Sequence, residues 1–401
     1  MSKEKCFDKR IDRTGTNSIK WDYREDIFGR EDVLPMWVAD SDWRTSEAVI
    51  DAIEERAGHG IFGYTRPGKE IDRIVVDWWK RRYNWEIDPE WIVYTNGVVP
   101  ALSVVIDTFS CTGEGVVLQP PVYYPFFTSV RHGGGQIVTN QLEYGNGKYF
   151  MDYKNLKDIC DPDNDPMQSQ PPASLMVLCN PHNPVGRVWT EEELEKLADI
   201  CLENEVLMIS DDIHADFVYD GNEYLPLASI SPEIAKNTIT LASPSKAFNT
   251  AGLPAGVTII PDKKLRRRFK TGQEKLLKSP SVFGLEALKA SYNHGEEWLD
   301  EQLDYLERNV EYSLNFARNE MPAIKPIRPE GTMLLWLDLR PLGLSKQEIE
   351  NLIVEEAKVG LDFGHWFGPG GEGFVRLNFA CPREILEEGL ERIAGAVNSL
   401  S

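Results

Sequence analysis

The sequence predicts an α/β fold in which a large domain, built on a mostly parallel mixed sheet, is followed by a smaller α+β domain. Between about residue 90 and residue 260, short apolar runs rich in β-branched residues alternate with stretches of helical period, as in a parallel sheet covered by helices. After about residue 290, longer amphipathic stretches replace this alternation. We therefore expect a large domain at residues 51–290, a small domain at residues 291–401, and an N-terminal arm at residues 1–50 that forms part of the small domain.

Short apolar runs and helix-capping patterns predict the individual elements. Six runs are expected to form strands of the large sheet: residues 91–94, 115–118, 175–178, 206–209, 238–241 and 257–260. The segments MLLWLDL and GFVRLNFA are expected to form strands of the small domain. Two capping boxes, Thr190 with Glu193 and Ser345 with Glu348, predict helix starts, because each pair satisfies its own backbone amides. The Pro- and Asp-rich residues 160–174 are expected to form a surface loop.

Composition and charge argue against several classes of protein. The 401 residues are 42% apolar, which is enough for a sizeable core and unlike a fibre, a disordered chain or a disulfide-stapled miniprotein. The formal net charge of -21 opposes binding to nucleic acid or to an anionic membrane. The basic run KKLRRRFK from Lys263 is interpreted as a solvated helix face, with an anion patch as the alternative.

Cysteine spacing and the first residues bear on metal binding and location. The six cysteines lie far apart, and the sequence has no C-x-x-C or H-E-x-x-H spacing, so we expect neither a metal site nor a redox motif. The N-terminus MSKEKCFDKRIDR is charged where a secretory peptide is apolar, and no apolar run approaches the roughly 20 residues of a spanning helix. We therefore expect a cytoplasmic protein with reduced thiols.

Three predicted strands run directly into polar clusters: LMVLC into NPHNPVG, EVLMIS into DDIH, and TITLAS into PSK. Ligands of open α/β sheets bind outside the carboxyl ends of the strands, so these clusters should meet in one crevice. That crevice would contain Asn183, Asp211, His214, Ser243 and Lys246.

A lysine, a buried carboxylate and a phosphate-binding backbone together are what pyridoxal 5'-phosphate (PLP) needs. The lysine would form a Schiff base with the aldehyde, and the carboxylate would keep the pyridine nitrogen protonated. Each feature alone has an ordinary alternative, because most lysines are solvated, Asp211 could cap a helix, and NPVG could be a turn. The order of the features at successive strand ends favours the cofactor.

The segments CNPHNPVGRVW, ISDDIHADF, SPSKAFNTAGLPAG and GFVRLNFACPR resemble those of fold type I PLP enzymes, the class I/II aminotransferase superfamily. More narrowly, LPMWVADSDW, FGYTRPG, DDIHADF and RLNFACPR resemble the PatB/MalY-type cystathionine β-lyases, although DSDW stands in place of the usual DMDF. The resemblance implies the PLP-dependent transferase-like fold and covers nearly the whole chain.

The resemblance implies roles for residues around the cofactor ring. Lys246 would carry the Schiff base and later take the α-proton of the substrate. Asp211 would pair with the pyridinium nitrogen, and Asn183 would donate a hydrogen bond to the ring hydroxyl oxygen. Tyr123 would stack on the ring, and Tyr124 is the second candidate for this role. The alternative interpretation of Tyr123 is an ordinary core aromatic.

The resemblance also implies how the phosphate is held and how subunits associate. Backbone amides of Gly97 and Val98, at a helix start, would bind the phosphate, together with the hydroxyl of Ser243. Tyr64 would reach the phosphate of the neighbouring subunit, which implies a homodimer. The expected catalytic residues are Lys246, Tyr123 and Tyr64.

The resemblance further implies that Arg376 would hold the substrate carboxylate, a role that suits a guanidinium because it offers two parallel hydrogen bonds. A strand-edge salt bridge is the alternative for this arginine. Val38 and Ala39 would complete the substrate-binding set.

Two departures from the aminotransferase pattern favour the lyase branch. Pro254 stands where many aminotransferases have a phosphate-binding arginine, and His214 stands at the cofactor where a tyrosine often supports the ring oxygen. The implied reaction is cleavage of L-cystathionine or a related S-substituted L-cysteine to a thiol, pyruvate and ammonia. An aminotransferase of the same fold is the second hypothesis, and a binding or regulatory protein that holds the cofactor without turnover is the third.

Overall fold

The computed structural model describes residues 7–161, 171–276 and 279–400. The strands are β1 (Leu34–Pro35), β2 (Ile92–Thr95), β3 (Gly115–Leu118), β4 (Gln136–Thr139), β5 (Glu143–Gly145), β6 (Lys148–Phe150), β7 (Ala173–Cys179), β8 (Leu207–Asp211), β9 (Thr238–Ala242), β10 (Gly256–Ile259), β11 (Lys325–Ile327), β12 (Leu334–Asp338), β13 (Val359–Gly360), β14 (Asp362–Phe363) and β15 (Phe374–Asn378). The α-helices are α1 (Ile19–Asp22), α2 (Arg24–Phe28), α3 (Glu47–Gly58), α4 (Lys69–Tyr83), α5 (Val98–Phe109), α6 (Pro125–His132), α7 (Tyr153–Cys160), α8 (Glu191–Glu203), α9 (Pro232–Lys236), α10 (Lys263–Leu276), α11 (Val282–His294), α12 (Glu296–Glu320), α13 (Lys346–Asn351) and α14 (Arg383–Asn398).

The central sheet has the strand order β2–β10–β9–β8–β7–β3–β4. Neighbours from β9 to β4 pair in parallel, whereas β10 runs antiparallel to both β9 and β2. All six predicted strands lie in this sheet, and their ends differ from the prediction by at most two residues. The prediction of a mostly parallel mixed sheet is therefore confirmed.

Sequence reasoning missed β4, which lies at an edge of the central sheet. Its residues QIVT follow three consecutive glycines, and only Val138 among them is buried. An edge strand buries fewer side chains than a central one, so β4 lacks the apolar run by which the other strands were recognised.

Successive side chains on the central strands alternate between two cores on opposite faces of the sheet. Leu175 and Val177 belong to one core, whereas Met176 and Leu178 belong to the other. This alternation follows from the period of two in a strand. Because both faces are covered, these strands read in the sequence as continuous apolar runs.

Both predicted capping boxes are present. Thr190 Oγ1 accepts a hydrogen bond from the Glu193 amide at 3.3 Å, and the Glu193 carboxylate accepts one from the Thr190 amide at 2.9 Å. Ser345 and Glu348 form the same pair of bonds at 3.4 and 2.7 Å. The starts of α8 and α13 are therefore confirmed.

The second sheet is antiparallel and has the order β11–β12–β15–β14. It contains both strands predicted after residue 290, and α12 packs against β11 and α14. From the N-terminal part of the chain, β1 pairs in parallel with β13. The domain boundaries at residues 50 and 290 stay predictions.

The surface predictions have mixed outcomes. The predicted loop at residues 160–174 is too long, because Cys160 ends α7 and β7 begins at Ala173, and residues 162–170 lie outside the described residues. The basic run lies on α10, where Lys263 and Lys264 are exposed and Arg266 is buried, as expected of a solvated helix face. Within the described ranges, no helix is long and apolar enough to cross a membrane.

Candidate active site

The polar clusters that follow β7, β8 and β9 line one cavity of about 220 Å³. Its walls include the five residues expected there from the sequence, Asn183, Asp211, His214, Ser243 and Lys246. They also include Gly97, Val98, Tyr123 and Ala39, which were predicted to bind cofactor or substrate. The predicted convergence at the carboxyl ends of the strands is therefore present in the fold.

Lys246 lies in the turn that follows β9, and its amine donates a hydrogen bond to the carbonyl oxygen of Ala39 at 2.7 Å. Burial lowers the pKa of Lys246 to about 8; Asp40 and Asp211 oppose this shift, and Arg376 adds to it. A larger fraction of this amine is therefore neutral near pH 7 than for a solvated lysine, and the neutral amine is the nucleophile.

Asp211 ends β8 and is buried. Its Oδ1 accepts a hydrogen bond from the amide of Ile213 at 3.1 Å. Burial raises the pKa of Asp211 to about 7, while this amide and the charge of Lys246 act in the opposite direction. A buried carboxylate is stabilised in its charged form by a positively charged partner, such as a protonated ring nitrogen.

His214 lies three residues after Asp211 and is also buried. Burial lowers the pKa of its imidazole well below the usual value, and the positive charges of Lys246 and Arg376 add to the effect. The ring is therefore neutral near pH 7. Its Nδ1 has no hydrogen-bond partner among the described residues.

The start of α5 also lines the cavity, through Gly97 and Val98. Gly97 precedes this helix with φ of +125°, a conformation that favours glycine. A Cβ on Gly256 would lie 3.0 Å from the carbonyl carbon of Gly97, so the absence of a side chain there allows β10 to pack closely. The free amides at a helix start attract phosphate.

Ser243 and Pro254 also line the cavity. The Ser243 hydroxyl donates to the carbonyl oxygen of Ala255 at 2.8 Å and accepts from the amide of Ser245 at 3.1 Å. It therefore also holds the turn that carries Lys246. Pro254 brings no charge, so a phosphate bound here would be held mainly by backbone amides.

Arg376 lies in the middle of β15 and is buried. Its Nη1 donates to Asn183 Oδ1 at 2.8 Å, and its Nη2 donates to the carbonyl oxygen of Trp37 at 3.0 Å and to Asp362. The salt bridge that the sequence left as an alternative is thus present, but inside the protein. Because Arg376 shares Asn183 with the cavity wall, it also lies at the site.

The two candidate aromatic residues differ in position. Tyr123 lines the cavity, and burial raises the pKa of its hydroxyl, so that it stays neutral. Tyr124 packs against Phe367 at 5.7 Å between ring centroids and against Trp366 at 6.5 Å. The geometry therefore favours Tyr123 over Tyr124 as the residue facing the cofactor ring.

Tyr64 does not line the cavity of its own chain. It is fully exposed, and its neighbours Ile61 and Phe62 are more than half exposed. A role for Tyr64 at this kind of site would require a second subunit.

The segment that carries Val38 and Ala39 is bound by β15 and by the turn after β9. Asn378 on β15 donates to the carbonyl oxygens of Val38 at 2.6 Å and Asp40 at 2.7 Å. Asn249 donates to the carbonyl oxygens of Ser41 at 3.0 Å and Trp43 at 2.8 Å. These amides, which sequence reasoning missed, fix the backbone that binds Lys246.

Buried charges anchor the same segment. Asp42 accepts from Lys20 at 2.6 Å and from Arg13 at 2.7 Å, and both Lys20 and Asp42 have side chains only 1% exposed. Arg13 also binds Asp40 at 2.7 Å. Burial raises the pKa of Asp40, but the hydrogen bond and charge of Arg13, together with the charges of Lys20 and Lys246, outweigh burial and hold this pKa below its usual value. The sequence signal for these buried ion pairs was the presence of two aspartates in the largely apolar segment LPMWVADSDW.

The residues present fit PLP. Lys246 offers an amine for the aldehyde, and Asp211 offers a carboxylate for the ring nitrogen. The start of α5 offers backbone amides for the phosphate. Two buried polar atoms nearby, Asn96 Oδ1 and His214 Nδ1, have no partner within the described part of the chain, and a polar ligand would supply one. Among the described residues no group of His, Cys, Asp or Glu side chains could hold a metal ion.

Residues 36–393 match the family model described as aminotransferase class I and II. The chain therefore belongs to this family. A curated relative, cystathionine beta-lyase PatB of Bacillus subtilis (strain 168), is 42% identical over 98% of this chain and 100% of its own length.

Two solved structures share the fold over nearly their full lengths. A PLP-bound protein from Clostridium difficile 630, named as an aminotransferase, has a TM-score of 0.93 and 41% identity, covering 98% of this chain and 99% of that chain. The PLP-bound C-S lyase from Staphylococcus hominis has a TM-score of 0.89 and 32% identity, covering 98% of this chain and 97% of that chain. The fold is therefore that of PLP-dependent enzymes of fold type I.

Proposed function

We propose that the protein is a PLP-dependent carbon–sulfur β-lyase that cleaves L-cystathionine or a related S-substituted L-cysteine to a thiol, pyruvate and ammonia. The observation that carries this proposal is the 42% identity over 393 residues with cystathionine beta-lyase PatB. The arrangement of Lys246, Asp211 and Asn183 around one cavity supports it.

PLP, when bound, supplies a protonated ring that accepts the electrons left at the α-carbon of the substrate. Asp211 would keep the ring nitrogen protonated. Asn183 already accepts from Arg376 through Oδ1, so its Nδ2 is available to donate to the ring oxygen. Tyr123 would face the ring, and the amides of Gly97 and Val98 would hold the phosphate with Ser243.

With the substrate amine in place, Lys246 would take the α-proton. The lowered pKa of this buried amine favours the neutral form that accepts a proton. Arg376 would bind the substrate carboxylate, with Val38 and Ala39 beside it, so that the α-hydrogen faces Lys246. The carbon–sulfur bond then breaks, the electron pair leaves with sulfur, and the remaining aminoacrylate hydrolyses to pyruvate and ammonia.

A thiolate is a good leaving group, because the pKa of an ordinary cysteine thiol is about 8.5. A sulfur substituent on the β-carbon would therefore favour elimination over transamination. Pro254 and His214, at positions where many aminotransferases carry arginine and tyrosine, support the lyase assignment.

The proposal includes a homodimer in which Tyr64 of one subunit reaches the phosphate site of the other. The full exposure of Tyr64 supports this arrangement. We also propose a cytoplasmic location, which the free thiols of the cysteines in the described residues support: Cys111, Cys160, Cys179, Cys201 and Cys381.

A matched pair of substrates tests the role of sulfur. S-methyl-L-cysteine and L-norvaline differ only by sulfur in place of a methylene. A β-lyase should release methanethiol and pyruvate from the first and no pyruvate from the second. An aminotransferase, which the name of the Clostridium difficile structure favours, would instead need a keto acid and would convert both compounds to their keto acids.

A further inference from the structure

Asp362 forms a buried ion pair with Arg376, the arginine proposed to hold the substrate carboxylate. The two residues face each other across β14 and β15, and their side chains are 1% and 2% exposed. The pair is therefore shielded from the water that screens surface ion pairs.

The hydrogen bonds of Arg376 leave little room for a second carboxylate. Both Nη2 protons are engaged, one by the Trp37 carbonyl and one by Asp362 Oδ2. A guanidinium can hold a carboxylate by two bonds only through Nη2, paired with either Nη1 or Nε. Arg376 Nε and Asp362 Oδ1 have no partner within the described residues.

A bound substrate carboxylate would therefore meet the carboxylate of Asp362 at the same guanidinium. Two negative charges sharing one positive charge in a buried site repel each other, and one of them is driven to take up a proton. A proton on Oδ1, the oxygen without a partner, removes the charge of Asp362 and weakens the contact between Oδ2 and Arg376, so that Nη2 becomes available to the substrate carboxylate.

We propose that Asp362 is a positioning residue, which holds Arg376 in place while the site is empty and takes up a proton when a substrate carboxylate docks. This inference rests on the proposed function of Arg376. When the pH is above the pKa of Asp362, binding of a carboxylate is accompanied by uptake of one proton from solvent. Asp362 therefore influences substrate affinity.

The protonation of Asp362 depends on its burial and on the titratable groups around the pair. Burial raises the pKa of Asp362 to about 6, against the effect of Arg376, so its proton uptake falls in an accessible range. Tyr123 and Tyr124, from the start of α6, have pKa values raised by burial and stay neutral. Asp211 and Lys246 line the same cavity as Asn183, to which Arg376 donates a hydrogen bond. His365, in the turn after β14, faces Glu350 and Lys346 instead.

The test uses the holoenzyme and 3-(methylsulfanyl)propionate, a carboxylate without the amine needed for reaction. Binding is measured by calorimetry from pH 5.5 to 8.5 in pairs of buffers with different ionisation enthalpies, and the visible absorption of the cofactor reports protonation at Lys246 separately. For the wild type, Kd should rise by up to about tenfold per pH unit above pH 6, with proton uptake on binding.

Asp362→Asn should bind the same ligand more tightly than the wild type above pH 7, with most of the pH dependence and proton uptake lost. Asp338→Asn removes a similar carboxylate, paired with Arg340 elsewhere in the same sheet, and should behave as the wild type. Equal pH dependence in Asp362→Asn and wild type, or weaker binding by Asp362→Asn, would overturn the proposal.

Two features keep the outcome interpretable. If Asp362→Asn does not fold, the wild-type protein still decides, because binding without proton uptake between pH 6.5 and 8.5 refutes the proposal. The probe cannot undergo elimination, so its binding does not depend on lyase activity. Failure of the proposed function would show separately, as the absence of pyruvate from S-methyl-L-cysteine.

Discussion

The environment of Lys246 matters more for the proposed chemistry than its residue type. Its amine is held by the carbonyl oxygen of Ala39, and burial lowers its pKa to about 8. A solvated lysine keeps its proton until about pH 10.4. The fold therefore supplies a neutral amine closer to physiological pH than the side chain would by itself.

The lowered pKa predicts how the cofactor-free protein should react with PLP. Only the neutral amine attacks the aldehyde, so the rate should rise with pH and level off above about pH 8. The reaction of N-α-acetyl-lysine with PLP, followed by absorption under the same conditions, is the control for the ionisations of PLP itself. The rate of this control reaction should continue to rise towards pH 10. Identical profiles for protein and model compound would contradict a buried, perturbed amine.

Asp211→Asn tests the electron-accepting arrangement. An amide cannot hold the ring nitrogen in its protonated form, so the variant should retain PLP, with kcat for pyruvate release lowered by about 100-fold or more. The absorption spectrum checks cofactor content, and Asp107→Asn, on the opposite end of α5 from the cavity, serves as a surface control. An unchanged rate in fully loaded Asp211→Asn would refute the role.

The candidate site was predictable where its residues follow strand ends. Asn183, Asp211 and Lys246 could be placed together because parallel strands bring their carboxyl ends to one edge. Asn249 and Asp362 could not, because their roles depend on which segments meet in space. Asn249 bonds to a segment 208 residues away in the chain, and no local period or motif encodes that contact.

At the scale of elements, the turn after β9 and the segment around residues 39–43 act as one unit. Asn249 connects them, accepting from the Ser41 amide at 3.1 Å and donating to the carbonyl oxygens of Ser41 and Trp43. It adopts φ of +52°, the left-handed region that asparagine tolerates better than most residues. This unit fixes both Lys246 and the carbonyl that binds it.

Asn249→Ala should therefore lower the free energy of unfolding by about 2 to 4 kcal/mol, from lost hydrogen bonds to the backbone and from strain at positive φ. Urea unfolding of the purified variant measures the change. Asn249→Gly relieves the strain but not the lost bonds, so it should fall between Ala and wild type. A loss below about 0.5 kcal/mol in Asn249→Ala would show that the unit is not held by this residue.

Elements were predictable to the extent that their signals are local. Each capping box needs residues only three positions apart, and each central strand buries a continuous apolar run, so both could be recognised from the sequence. The edge strand β4 has only Val138 buried and gave no such signal. The pairing of β1 with β13 joins residues more than 300 positions apart, which depends on the whole fold.

At the scale of the whole molecule, the proposed dimer predicts complementation between two inactive variants. Lys246→Ala lacks the reactive amine, and Tyr64→Ala lacks the tyrosine that we propose crosses the interface. When the two are mixed under conditions of subunit exchange, each hybrid dimer gains one complete site. Activity should recover towards about one quarter of the wild-type value for random reassociation of equal amounts.

Each variant incubated alone under the same exchange conditions is the control and should stay inactive. Size-exclusion chromatography with light scattering checks the dimer. If Tyr64 acted within its own subunit, every site in a hybrid dimer would lack one residue. A dimer that exchanges subunits, shown by mass-tagged chains, but recovers no activity would therefore rule out the crossing of Tyr64.

The most direct test of the β-lyase assignment is the amount of pyruvate released per bound PLP from L-cystathionine in the absence of any keto acid. A lyase regenerates its cofactor in every cycle, so the wild type should release pyruvate far in excess of its sites, with equal amounts of ammonia and homocysteine, and Lys246→Ala should release none. Release that stops at or below one keto-acid equivalent per site, and resumes as amino transfer when a keto acid is added, would contradict the assignment and indicate an aminotransferase.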